Sequence, residues 1–189
     1  RRRLVLLGYS LGGSLAYELA ARLASAGAPP HGLVVCGTRA PHTGVGHPPV
    51  AHRPPGEAFL RAAVAMGLAA AEMLAVPELA ASFAAPLQAD LSMVESFPYH
   101  PRPPLRVPVC VVGFRSDWLA PEPSLRAWNE ICDRPPLQLR IDGGHLAVHE
   151  HEREFGEAVG AGVQWLLNLG RDLVSPDGSL HPASEEGVQ

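Results

Sequence analysis

Lysine is missing from this chain: all fifteen basic residues are arginine. With abundant Ala, Gly and Pro, that bias points to a GC-rich coding sequence and carries no biochemical role. Positive charge is also in deficit, at a net charge of -4, and after Arg1-Arg2-Arg3 the arginines are scattered. There is no electrostatic case for binding nucleic acid. Long apolar runs are lacking too, and none reaches the roughly 18 residues that a bilayer span requires. The basic-then-apolar start, Arg1 to Leu7, runs straight into Gly8-Tyr9-Ser10. A signal peptide needs a longer apolar stretch and a small-residue cleavage site. Cysteine is sparse: Cys36, Cys110 and Cys132 are odd in number and irregularly spaced. Two sit in apolar runs, so buried free thiols in a reducing compartment are expected, and the cytoplasm with it. An initiator Met is absent and the chain opens inside a strand-like run, so the front of the domain is expected to be missing.

What is present suits one soluble domain with a single core: 189 residues, of which 47% are hydrophobic and 18% charged. Leu4 to Leu7 form a continuous apolar run ended by Gly8, as in a buried parallel strand. The Ala- and Leu-rich segment 11–24 follows, with Leu15, Leu19 and Leu23 at helical spacing and Gly27 and Pro29 as stop signals. Residues 32–37 read as a second strand, and the Pro/Gly/His-rich segment 41–55 as loop. Residues 57–97 read as two or three helices, broken near Gly67 and Pro77. Residues 98–104 read as a rigid extended connection. Strands are expected at 107–112 and 137–141, and helices at 123–131 and 152–169. The segment 171–189, polar and aperiodic from Val174 onward, reads as a disordered tail. No internal repeat is visible. Strands alternating with helices imply a parallel sheet with right-handed crossovers. The block 57–97 is too long for one crossover and reads as a lid over the strand ends.

Gly8-Tyr9-Ser10-Leu11-Gly12 matches G-x-S-x-G between a strand and a helix, the context that this nucleophile motif requires. A sharp turn would lift the Ser10 hydroxyl above the sheet, with side chains at both glycine positions expected to clash with neighbouring backbone. The helix start aims N–H groups at the reacting carbon, and the Leu11 N–H is the natural first donor to an oxyanion.

A serine nucleophile in this setting needs an acid and then a histidine downstream, each just past the C-terminal end of a parallel strand. Asp117 follows the strand 107–112, and His145 follows the strand 137–141 in Asp142-Gly143-Gly144-His145. Glu122 stands where a helix is starting. Asp133 precedes a strand, at the wrong end of the sheet. Asp142 is too close to His145 to support its far nitrogen and is expected to cap the turn. His149 and His151 are expected to face solvent, and the other six histidines to lie mostly on surface loops. A metal reading of His145, His149 and His151 lacks supporting ligands, and neither metal nor cofactor is expected.

With these residues placed, the chain resembles the type II thioesterases of nonribosomal peptide and polyketide synthases, from about Leu4 to Leu169. The likeness rests on Gly8-Tyr9-Ser10-Leu11-Gly12-Gly13 with Ala16-Tyr17-Glu18-Leu19-Ala20, and on Gly37-Thr38-Arg39-Ala40-Pro41-His42. Further support lies in Pro77-Glu78-Leu79, Leu87-Gln88-Ala89-Asp90, Val94-Glu95-Ser96 and Asp142-Gly143-Gly144-His145. The resemblance implies an α/β-hydrolase fold, here the C-terminal part of its mostly parallel sheet within a domain of residues 1–170. It implies hydrolysis of acyl groups from the phosphopantetheine arm of acyl or peptidyl carrier domains, with Ser10, Asp117 and His145 as triad and no cofactor of its own. It also implies that the segment 57–97 shapes the acyl channel and meets the carrier domain. The protein is expected to be a monomer, away from membranes and nucleic acid. Tyr9 and Leu11 stand where the family often has His and Met, and fewer acidic residues precede Asp117. The family's second oxyanion donor comes from the front of the domain; one such donor is typically worth about 10²- to 10³-fold in rate. Two other readings stand beside this one: a type I terminal thioesterase that releases or cyclises a synthase product, and a truncated, inactive carrier-binding module.

Overall fold

Four short apolar runs become one parallel sheet in the computed structural model, which describes residues 3–45, 51, 53 and 56–169. The strands are β1 (Val5–Tyr9), β2 (Gly32–Cys36), β3 (Val109–Phe114) and β4 (Leu137–Ile141), ordered β1-β2-β3-β4. Val5 pairs with Gly32, Leu33 with Val109, and Cys110 with Leu137. The expected segments are present with shifted ends: β1 extends through Tyr9, and β3 starts after Pro108. Proline has no N–H for the ladder; its carbonyl instead accepts the Leu33 N–H at 2.9 Å. The expected tail 171–189 and loop residues 46–50, 52, 54 and 55 lie outside the described residues.

Helices cover both faces of the sheet, so the central strands are apolar at every position. On one face α1 (Leu11–Ser25), α4 (Glu122–Arg126) and α5 (Trp128–Ile131) close over Leu33, Val35, Val109 and Val111. On the other, α7 (Glu152–Leu169) packs Leu166 against Val34, Cys36, Cys110 and Val112. This double burial is why β2 and β3 read as unbroken hydrophobic runs and not as alternating ones. The helix expected over 123–131 is two short helices that meet at Ala127.

The face of α1 corrects the simplest reading of its leucines. Leu15 and Leu19 are about half exposed, at 53% and 46%. Gly13, Ala16, Tyr17, Ala20 and Ala21 are the buried residues, and the four small ones bring the helix close to the sheet. Its end is a Schellman motif: Ala28 N–H bonds Leu23 O at 2.9 Å and Gly27 N–H bonds Ala24 O at 3.1 Å, with Gly27 at φ 75°. Among the described residues β1 pairs only with β2, and Leu4 and Leu7 on this edge are half exposed.

The block 57–97 folds as α2 (Glu57–Ala65), a 3₁₀ turn at Ala71–Ala75 and α3 (Pro77–Glu95). It has a small core of its own around Phe59, Leu60, Ala63 and Leu91. Short α6 (Ala147–Glu150) precedes α7. All three cysteines are buried free thiols, as expected.

Trp128 ties the main core to the site. It is fully buried, meets Tyr17 edge-on at 5.5 Å, and donates Nε1–H to Thr38 O at 2.9 Å. Trp128→Ala is expected to cost about 3–5 kcal/mol in urea unfolding. Trp128→Phe is expected to cost about 1–3 kcal/mol, chiefly because the Thr38 carbonyl is left unpaired.

Candidate active site

Ser10 is the only described non-glycine residue with positive φ, at 53° with ψ -120°. Such a conformation costs of order 1–3 kcal/mol and persists only where the surroundings impose it. Here Ser10 N–H donates to Cys36 O at 2.9 Å, and Ser10 O receives Gly13 N–H at 3.0 Å. The buried Thr38 Oγ1 lies 3.0 Å from Ser10 O and 2.9 Å from Cys36 O, so its single proton bridges the turn to β2. Ser10 is also the N-cap of α1, yet makes no side-chain cap bond. Its hydroxyl is left for other work.

The glycine roles differ from the expectation in one respect. A Cβ at Gly8 would overlap the Gly12 carbonyl oxygen, and one at Gly13 would lie 2.8 Å from Thr38 Cβ and Cγ2. A Cβ at Gly12 meets nothing within 4 Å. The glycines that sterics demand are therefore Gly8 and Gly13, not Gly8 and Gly12.

The predicted acid and base arrive from the next strand ends. His145 Nε2 lies 2.9 Å from Ser10 Oγ, and His145 Nδ1 lies 2.9 Å from Asp117 Oδ2. The Asp117 side chain is fully buried, and its Oδ1 accepts the N–H groups of Leu119 at 3.0 Å and Ala120 at 3.2 Å. These three bonds fix the carboxylate against the imidazole. Ser116 N–H bonds Gly143 O at 3.0 Å, stitching the acid loop to the histidine loop, and Gly143 takes φ 103° to make that turn. Leu11 opens α1, so its N–H has no intrahelical acceptor.

The rival residues lie elsewhere. Glu122 is tied to Arg126 and Arg140, each at 2.8 Å, which holds its carboxyl below the usual range. Asp142 does not cap its turn; it pairs with Arg115 at 2.9 Å on the surface. Asp133 and His149 are exposed, and His151 is partly buried, 3.9 Å from Glu154. His42 is also partly buried and contacts Glu130 at 3.0 Å. Among the described residues no group of three His, Cys, Asp or Glu side chains is arranged to hold a metal. Burial pushes the thiols of Cys36, Cys110 and Cys132 up to about 12, so they stay protonated and are no rival nucleophiles.

Three features were not assigned a role by motif reading. The Tyr9 ring packs 5.6 Å from the His145 ring, and burial drives its phenol well above the ordinary range. Leu68, Leu91 and Val94 of the helical block line a cavity of about 60 Å³ with Ser10, Leu11, Leu119 and His145. Arg39 lines the same cavity; burial lowers its affinity for the proton while the Asp117 charge raises it. Arg39 belonged to a quoted motif, but only neighbours distant in the chain reveal its surroundings.

A serine, a histidine and an aspartate relayed above the C-terminal ends of a parallel α/β sheet define the α/β-hydrolase class. Within it the chain belongs to the thioesterase domain family, whose model, described as "Thioesterase domain", matches residues 3–161. It is similar to the AMB antimetabolite synthetase AmbE of Pseudomonas aeruginosa, 34% identical over 148 residues, covering 78% of this chain and 7% of AmbE. Among solved structures it is similar to the RedJ thioesterase from the prodiginine biosynthetic pathway in Streptomyces coelicolor. That match has 28% identity and a TM-score of 0.72, covering 84% of this chain and 62% of that one. It is likewise similar to YbtT, a type II thioesterase from the yersiniabactin NRPS/PKS pathway. There the identity is 27% and the TM-score 0.73, covering 86% and 66% of the two chains. The chain spans 54% to 63% of the length of further curated thioesterases it matches.

Three outcomes check this geometry. Asp117→Asn is expected to slow labelling of Ser10 by a fluorophosphonate probe by about 10⁴-fold with the fold intact, because the amide favours the wrong imidazole tautomer. Gly8→Ala is expected to abolish labelling. Gly12→Ala is expected to leave the chain folded and to raise the urea midpoint slightly, because it adds a helix former in open space.

Proposed function

We propose that this chain is the catalytic part of a serine thioesterase that hydrolyses acyl groups from the phosphopantetheine arm of carrier proteins. The relay from Ser10 through His145 to Asp117, both contacts at 2.9 Å, is the observation that carries the reading. As Ser10 Oγ attacks the thioester carbonyl, His145 Nε2 takes its proton and Asp117 steadies the imidazolium. The Leu11 N–H faces the oxyanion. Collapse breaks the C–S bond, and His145 returns the proton to the leaving sulfur. Water then attacks the acyl-enzyme under the same base, freeing the acid and restoring Ser10. The family match and the likeness to YbtT and RedJ support the thioester substrate and the carrier-protein partner. The helical block would form the acyl channel and the carrier-facing surface.

The protein is read as a monomer of the cytoplasm, acting on carriers in trans. Three buried free thiols support a reducing compartment. Among the described residues no helix is long and apolar enough to cross a membrane. The 34% identity to a short part of the synthetase AmbE favours a second reading, a thioesterase unit that serves a carrier on its own polypeptide.

The test is release of [¹⁴C]acetate and [¹⁴C]propionate from acylated carrier protein supplied in trans. Turnover that Ser10→Ala lowers by at least about 10³-fold is expected. Release only when the carrier is fused to the chain favours the second reading. Neither release nor fluorophosphonate labelling in a folded sample leaves an inert binding module.

A further inference from the structure

Tyr9 closes β1 one position before the nucleophile, yet the proton relay makes no use of it. The ladder fixes its backbone opposite Cys36, and its side chain joins the cluster that α7 packs against the sheet. From there the ring reaches the base: the Tyr9 and His145 ring centroids are 5.6 Å apart, with the planes tilted by 42°. Two further rings stand behind it. Phe114, which ends β3, lies 5.9 Å away, and Phe155 of α7 meets Tyr9 edge-on at 6.2 Å. These two are 6.3 Å from each other. One aromatic wall, drawn from β1, β3 and α7, thus stands beside the imidazole at the spacings that such pairs favour.

The relay needs such a wall. His145 Nδ1 faces Asp117 Oδ2 and Nε2 faces Ser10 Oγ, both at 2.9 Å. Two bonds on opposite sides of a ring fix where its nitrogens lie, but leave it able to rock about the line between them. The N–H and lone-pair directions lie in the ring plane and are not collinear, so rocking bends both bonds. Hydrogen bonds weaken steeply as they bend. The loop offers little restraint of its own: Gly143, at φ 103°, and Gly144 precede His145, and the Ser116 N–H holds only the Gly143 carbonyl. A ring packed against the imidazole supplies the restraint that the two bonds lack. The phenol group has no share in this. Its oxygen is buried without a hydrogen-bond partner among the described residues, and burial, then the Asp117 charge, keeps it protonated.

We infer that Tyr9 is a positioning residue for the catalytic base: its ring, backed by Phe114 and Phe155, holds the His145 imidazole in the plane that serves both Ser10 and Asp117. This rests on the proton relay proposed above and on no particular substrate.

Fluorophosphonate labelling of the parent chain, Tyr9→Phe and Tyr9→Leu provides the test, with the rate constant and the labelled fraction read separately. Tyr9→Phe keeps the ring and drops only the unpartnered hydroxyl, so its rate is expected within about twofold of the parent. Tyr9→Leu keeps apolar bulk without the ring. Its rate is expected to fall by about 10- to 100-fold, as when a catalytic group is displaced, with the full fraction still labelled. With acetyl-N-acetylcysteamine as substrate the loss should fall on kcat, leaving KM within about twofold. A labelled fraction that drops at an unchanged rate marks a merely structural residue and overturns the proposal. So does a Tyr9→Phe as slow as Tyr9→Leu. Phe155→Leu, which removes a backing ring from a helix outside the relay, guards against a Tyr9→Leu that fails to fold. A fall of about 3- to 10-fold in the same rate constant is expected there, and an unchanged rate counts against the wall. The low-field ¹H resonance of the His145 Nδ1–H reads the ring without any reaction. It should stay sharp in Tyr9→Phe and broaden in Tyr9→Leu; an identical signal in both overturns the assignment. Ring-dependent labelling in a chain that turns over no thioester upholds Tyr9 while the thioesterase reading fails. Thioester turnover at the parent rate in Tyr9→Leu does the reverse.

Discussion

Parallel pairing gathers the C-terminal ends of all four strands on one side of the sheet, and every member of the proton relay stands just beyond one of them. Ser10 follows β1, Thr38 and Arg39 follow β2, Asp117 follows β3 and His145 follows β4. The imidazole can join a hydroxyl beyond β1 to a carboxylate beyond β3 because the ladder sets those ends side by side. A slip in register at β1–β2 would move Ser10 away from the Cys36 carbonyl and the Thr38 hydroxyl that hold its turn.

The strained turn and the relay support each other. Positive φ at Ser10 points the hydroxyl away from the helix N–H groups it would otherwise cap, toward His145. That orientation depends on Gly8 leaving room for the Gly12 carbonyl and Gly13 leaving room for Thr38. Thr38 is held by Trp128, which is held by Tyr17 on the helix that Ser10 begins. A closed circuit of contacts therefore runs from the nucleophile into the core and back.

Much of this was legible from the residues. The four strands of a parallel sheet, the elbow around Ser10, and the downstream positions of Asp117 and His145 follow from apolar runs, turn glycines and the rule that sites sit at strand ends. What escaped depends on contacts between distant segments. Periodicity marked 11–24 as helix, but Leu15 and Leu19 alternate with Ala16 and Ala20, and only the close approach to the sheet decides that the small side packs. The motif named Gly12, while the clash that matters involves Thr38 and falls on Gly13. Asp142, too close in the chain to support the far nitrogen of His145, reads as a turn cap, yet the loop geometry brings Arg115 within reach. The aromatic wall beside His145 is likewise a property of the packed site.

The strain held at Ser10 has a consequence for how the protein loses its chemistry. The elbow keeps its positive φ only while the Cys36 carbonyl, the Thr38 hydroxyl and the Gly13 N–H hold it, and a strained residue relaxes once its neighbours loosen. Reversible inactivation would then begin as a relaxation of the Ser10 backbone, below the temperature at which the doubly covered strands β2 and β3 melt.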